Sequence, residues 1–253
     1  MDLDGLRAVA NCGAWYAGLR RVALDQYLTQ HLGNYTSAAE GTTAVVFAAT
    51  TDPRRRICAH RSPVASVRRA GASGWVIRWA WAGTSPDLPT DLRLAELRRS
   101  GECLGVAALI SPELGVPDTS CPDSERADWI AATLGAVAAQ LSGAGPVVRI
   151  DDADGGFEIV QVTGLPLAEP TFTDLVATLP TLLGEVAVGD HRVALHGLAV
   201  RLGWHVMWQR PSEIATPANA ASDISQCVLT DQRSSLALSF DVNGRPRQRA
   251  LPA

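Results

Sequence analysis

The residues best suited to chemistry lie late in the chain. Asp190, His191 and, further along, His205 bring one carboxylate and two imidazoles into a single stretch. Imidazole ionises near neutral pH, so with a carboxylate beside it a histidine can move a proton as general acid or base. Hydrolysis or group transfer on a small molecule is the reaction that such a pair would serve. The commoner fate of a histidine is a surface or hydrogen-bonded position, and His31, His60 and His196 are read that way. A zinc site needs three or four converging ligands, and neither an HExxH pattern nor a Cys/His spacing is present. No nucleophile elbow, phosphate-binding loop or dinucleotide fingerprint occurs either, so the sequence points to no metal and no cofactor.

Aromatic residues offer a different chemistry. In the run from Trp75 to Trp81, strand alternation places Trp75, Ile77, Trp79 and Trp81 on one face, with Val76, Arg78 and Ala80 on the other. Exposed indoles stack on bases, sugars or an apolar partner segment, whereas a buried row packs a sheet against helices, which is the favoured reading. The pattern Gly74-Trp75-Val76-Ile77-Arg78-Trp79 recurs as Gly203-Trp204-His205-Val206-Met207-Trp208, and each copy follows a His-Arg and a Val-Ala pair. Either an ancient duplication or the abundance of tryptophan explains this echo. Trp79, Trp81, Trp204, Trp208 and Arg78 are the binding candidates that it supplies.

Other clusters read more plainly. Arg54-Arg55-Arg56, Arg68-Arg69, Arg98-Arg99 and the set Arg245, Arg247 and Arg249 lack a recognition helix or an RNA-binding signature, so solvated loops explain them best. Asp151 to Gly156 fails the spacing of a calcium loop and predicts an Asp-Gly hairpin. Five cysteines stand singly with no CxxC pair, which argues for a reducing compartment. Cys103, at the start of an apolar run, is read as a small core residue.

Every basic residue among the 22 is arginine, a bias of GC-rich bacterial genomes rather than of arginine chemistry. With 47% apolar and 19% charged residues, the chain is neither disordered nor built of membrane spans. The start, Met1-Asp2-Leu3-Asp4, is acidic where a secretion signal would be basic, so a cytoplasmic location is expected. Residues 1–110 hold 13 arginines against 9 acids, net +4; residues 111–253 hold 9 against 17, net −8. Such asymmetry fits an anionic partner for the basic half, or two halves that face each other.

These residues need a frame to position them. Helices are predicted over 3–32, 92–99, 123–143 and 171–186, the last kinked or divided at Pro180. Strands are predicted over 44–49, 57–67 with a break at Pro63, 75–81, 147–150, 157–162, 191–200, 204–209, 226–229 and 236–242, and Cys103 to Ile110 reads as another buried-type run in the strand position after the second helix. Thr36 to Thr42 reads as a polar connection, Ser111 to Asp123 as a linker and the tail from Arg245 as frayed. The expected fold class is α+β: two sequential lobes, 1–117 and 118–253, each with a mainly antiparallel sheet packed by helices, as a divergent duplication would give.

The order helix, three strands, helix, strand, helix over residues 3–140 resembles that of secretion-chaperone-like α+β domains, found singly or in tandem in bacteria. That resemblance implies a binding role. The expected function is an intracellular binding, adaptor or chaperone-like protein that uses a sheet edge or a tryptophan-lined groove. Its partner would be another protein or a second copy rather than nucleic acid or a membrane. Two alternatives stand beside it: a hydrolase or transferase built on Asp190, His191 and His205, and a nucleic-acid-associated protein that uses the basic half. The first would show a histidine and a carboxylate within hydrogen-bond reach; a binding protein would show an unpaired sheet edge or an exposed apolar patch.

Overall fold

Small and apolar residues occupy nearly every turn of the first helix, so it has no broad polar face and must be covered on several sides. The computed structural model describes residues 3–71, 74–83, 92–117, 122–143, 145–186, 188–209, 225–231 and 233–247. Helix α1, Asp4–Leu32, packs against α4 (Asp123–Leu141), α5 (Phe172–Glu185) and α6 (His191–Leu202). Two glycines set these crossings. A methyl group on Gly13 would be driven into the carbonyl oxygen of Ala136 on α4, and one on Gly197 of α6 into that of Cys12. Backbone thus lies against backbone at both contacts. Beyond this crossing, Leu24, Leu28 and Leu32 continue at helical spacing over the sheet and join Val45, Phe47, Val160 and Val162 in a second apolar cluster.

Seven antiparallel strands form the main sheet: β1 (Tyr35–Glu40), β2 (Ala44–Ala49), β3 (Arg56–Arg69), β4 (Gly74–Trp79), β5 (Glu113–Pro117), β6 (Val147–Asp151) and β7 (Phe157–Thr163). Strand β3 organises them. Its first half pairs with β2 and its second with β4, while β7 takes the opposite edge from His60 to Val67. The register shifts between Pro63 and Ala65, which fits a residue that has no N–H to give to a ladder. The expected break at Pro63 is therefore a bulge within one long strand. Strands β6 and β7 come from beyond residue 117 yet complete the sheet that β1 to β5 begin.

A second antiparallel sheet has the order β11 (Pro246–Arg247), β10 (Ser235–Phe240), β9 (Ser225–Thr230) and β8 (His205–Gln209). Its inward side chains Cys227, Leu229, Leu236, Leu238 and Phe240 share one core with Leu195 and Leu198 of α6 and with α1 and α4. The remaining elements are two helices, α2 (Leu92–Leu104) and α3 (Ala107–Ile110), and a 3-10 turn at Ala80–Gly83. The fold class is α+β, as the sequence predicts.

Several elements differ from expectation. Residues 191–200 form a helix rather than a strand: Asp190 caps it by accepting the Arg192 N–H at 2.8 Å, and Gly203 closes it in the left-handed conformation at φ 69°. Tyr35–Glu40 is a strand whose polarity reflects an exposed edge, Glu113–Pro117 is a strand inside the expected linker, and Pro246–Arg247 pairs with β10. The rest of that linker, 118–121, lies outside the described residues, as does Arg249. Helix α5 runs through Pro180, which faces solvent, and starts from a capping box between Thr171 and Asp174. The run 103–110 is not a strand but the end of α2 followed by α3, and Cys103 is exposed there rather than buried.

The sequence echo is not an echo of structure. His60-Arg61 lies in strand β3, whereas His191-Arg192 opens helix α6. The first Trp motif is a buried strand of the main sheet, the second a largely exposed edge strand of the other.

Candidate binding site at the edge of the second sheet

The acid–base candidates do not meet as a pair. His191 is only 8% exposed, and the Trp15 indole N–H donates to its Nδ1 at 3.2 Å. An accepting Nδ1 carries no proton, so the imidazole is neutral with its hydrogen on Nε2. Burial lowers the His191 pKa; the nearby Asp190 charge works against this and Arg245 adds to it. The Asp190 carboxylate turns instead to Arg192, accepting from Nε at 3.0 Å and from the terminal nitrogen at 2.7 Å. Burial alone would raise the Asp190 pKa, but the Arg192 hydrogen bonds outweigh it and hold the carboxyl below its ordinary value. His205 is exposed on β8, opposite Thr230. Both members of the expected dyad thus serve helix α6: one caps it, the other ties it to α1.

The tryptophans divide by environment. Trp79 is fully buried, and its indole donates to the Ala108 carbonyl at 2.9 Å, so it is core. Trp81 leaves the strand row for the 3-10 turn, where the Arg98 guanidinium lies 5.4 Å from its ring centre. Arg78 faces Glu113 across the β4–β5 ladder at 3.7 Å. Trp204 and Trp208 are different. Trp204, half-buried, meets the Phe172 ring edge-on at 5.4 Å, and Trp208, 37% exposed, leans on Phe240 at 5.9 Å. Between them Val206 packs on the core and Met207, 52% exposed, points outward.

Among the described residues, β8 pairs with β9 alone, and its other edge has no strand partner. Such an edge is a template for another strand, and proteins usually blunt it with charges, proline, bulges or extreme shortness. The other edges here are blunted. Strand β1 carries Glu40, β5 carries Glu113 and ends in Pro117, β6 carries Arg149 and Asp151, and β11 is two residues long. Strand β8 reads His-Val-Met-Trp-Gln, without lysine, acid or proline, in unbroken register with β9.

An open cleft of about 640 Å³ begins where β8 begins, lined by Gln140, Glu169, Pro170, Val200, Arg201, Leu202 and Trp204. At its back the buried Tyr16 hydroxyl donates to Glu169 at 3.0 Å, and the Arg20 guanidinium donates to the Ala168 carbonyl at 2.7 Å with Glu169 at 3.9 Å. Burial raises the Tyr16 pKa, and the Glu169 hydrogen bond reinforces it. Arg201 lies 5.4 Å over the Tyr16 ring and against Gly143. Sequence reasoning found Trp204 and Trp208 but missed Met207, Arg201 and Glu169. A lone methionine or arginine carries no local signature; the uncharged composition of β8 was the one available signal. Among the described residues, no group of three or more His, Cys, Asp or Glu is placed to hold a metal ion, and no helix is long and apolar enough to cross a membrane.

Comparison with known proteins places residues 7–164 in DUF6882, a family of unknown function. The chain belongs to this family. No curated protein and no solved structure matches it. The DUF6882 match runs from α1 to the end of β7, and thus takes in the whole main sheet. Helix α6, the second sheet and the cleft residues Glu169, Arg201 and Trp204 lie beyond the DUF6882 span.

Proposed function

We propose that the protein is a binding module that captures an extended segment of another polypeptide along β8. One observation carries this reading: among the described residues β8 is the sheet edge left unblunted, and it carries the exposed Met207 and Trp208. Strand addition uses main-chain hydrogen bonds for affinity and alternate side chains for selectivity. One face of an added strand would pack on Val206 and Trp208, the other on Met207. Alternating apolar and polar residues are the composition that this surface favours.

The alternatives draw less support. A hydrolase needs a base with a free acceptor nitrogen near an acid, whereas the Nδ1 of His191 accepts from Trp15 and Asp190 accepts from Arg192. Nucleic-acid binding needs unpaired cations on one face. Here Arg56 faces Glu40 at 3.5 Å, Arg61 pairs with Glu158 and Arg69 with Asp123, while Arg55 donates to the His31 carbonyl.

A pooled library of dodecapeptides with alternating apolar positions tests the proposal. Binding should slow hydrogen exchange at His205–Gln209, and Met207→Lys should weaken it by roughly tenfold or more by charging the edge. Because Met207 is a surface side chain, the denaturation midpoint should stay where it is. Exchange that slows elsewhere while β8 is untouched would sink the reading.

A further inference from the structure

The direction of the added strand leads to a more specific partner. Among the described residues, every strand pair in both sheets is antiparallel. A strand that joins β8 in the same sense runs from the Gln209 end towards the His205 end. Its C-terminus then emerges beside Trp204, at the mouth of the cleft.

The charges at that mouth suit a carboxylate. Glu169 is already engaged, since it accepts the Tyr16 hydroxyl and lies 3.9 Å from Arg20, whose side chain is 7% exposed. Among the described residues, no carboxylate pairs with Arg201. Its guanidinium is exposed yet held in place, over the Tyr16 ring on one side and against Gly143 on the other. A methyl group on Gly143, whose φ is +60°, would push the guanidinium out of this seat. A planar cation fixed in this way presents paired donors for a carboxylate, and Gln140 adds an amide to the same wall.

We infer that the occupant of β8 is the C-terminal segment of a partner polypeptide, with its terminal carboxylate bound by Arg201 at the cleft. This rests on the edge-pairing reading above and adds an end to the captured strand. A second copy of this chain, or an internal segment of a partner, are the competing occupants.

The test uses hexapeptides of alternating apolar and polar residues, synthesised once as free acids and once as C-terminal amides, each titrated against the full chain. Free acids should bind roughly tenfold to a hundredfold more tightly than the same sequences as amides. Arg201→Gln should bring acid and amide close to parity by weakening acid binding far more than amide binding, and Arg201→Lys should restore only part of the difference. Gly143→Ala, which displaces the guanidinium, should act as a weaker copy of Arg201→Gln. Equal binding of acid and amide, with β8 still protected from exchange, would overturn the C-terminal assignment and leave edge pairing intact. Loss of protection at β8 in every case would overturn both. Sedimentation that shows a concentration-dependent dimer, disrupted by Met207→Lys, would give the edge to a second copy and likewise overturn the assignment.

Discussion

Gly197→Val should bring the denaturation midpoint down by far more than any surface change, corresponding to a loss of about 3 kcal/mol, the upper end of overpacking penalties. Its added carbons would enter the carbonyl oxygen of Cys12, which belongs to the backbone of α1 and cannot rotate aside. The same helix is held on its other flank by α4, where a methyl on Gly13 would strike the carbonyl of Ala136. Neither neighbour can yield without moving α1 across the core. Gly13→Ala should therefore destabilise even though alanine is the better helix former by about 1 kcal/mol. Gly184 in α5 supplies the contrast, because nothing lies within 4 Å of a methyl there. Gly184→Ala should leave stability level or raise it by up to about 1 kcal/mol. Urea or guanidinium titration of the three variants checks the ranking; if Gly13→Ala behaves like Gly184→Ala, the crossings are looser than described.

Trp15→Ala should cost about 3–5 kcal/mol, since it empties a fully buried indole site and strips His191 of its donor. Trp15→Phe separates the two effects by keeping much of the ring while removing the N–H. The histidine also sets a pH dependence. Its folded-state pKa lies below the ordinary value near 6.5, so the unfolded chain takes up a proton more readily than the folded one. Wild-type stability should accordingly be complete above about pH 6.5 and fall as pH drops through the lower, folded-state pKa. Protonation would place a hydrogen on the nitrogen that accepts from Trp15. Burial is the main cause of the lowered pKa, and Trp15→Phe keeps most of the covering ring, so the slope of stability against pH below neutrality should largely persist in Trp15→Phe and flatten only in Trp15→Ala. A slope that flattens equally in Trp15→Phe would mean that the indole N–H, rather than burial, keeps His191 neutral.

Periodic elements were legible in the sequence, and elements defined by what covers them were not. The spacing of Leu6, Val9, Gly13 and Tyr16 revealed α1, and Asp154-Gly155 announced the β6–β7 hairpin. Residues 191–200 misled because β-branched Val193 and Val200 bound a short, mainly apolar run of strand length. The true signal was the pair of caps, Asp190 and Gly203, at the two ends of a helix-length segment. Strand β1 was hidden because an exposed edge has no apolar alternation to read. The binding surface was half visible. Alternation could place Trp204 and Trp208 on one face, but only the ladder reveals that β8 is an edge and that its Trp79 counterpart is sealed in the core.

The indole–imidazole contact joins residues 176 positions apart. At translation rates of about 5–20 residues per second, the indole is synthesised roughly 9–35 s before its acceptor. During that interval the flank of α1 that α6 will cover stays bare and open to wrong associations, although α4 and α5 are made earlier and can shield the helix's other sides. A pulse-chase experiment should find the growing chain sensitive to protease until α6 has emerged. Slower elongation should lengthen this vulnerable period, which makes yield in the cell a matter of timing as much as of final stability.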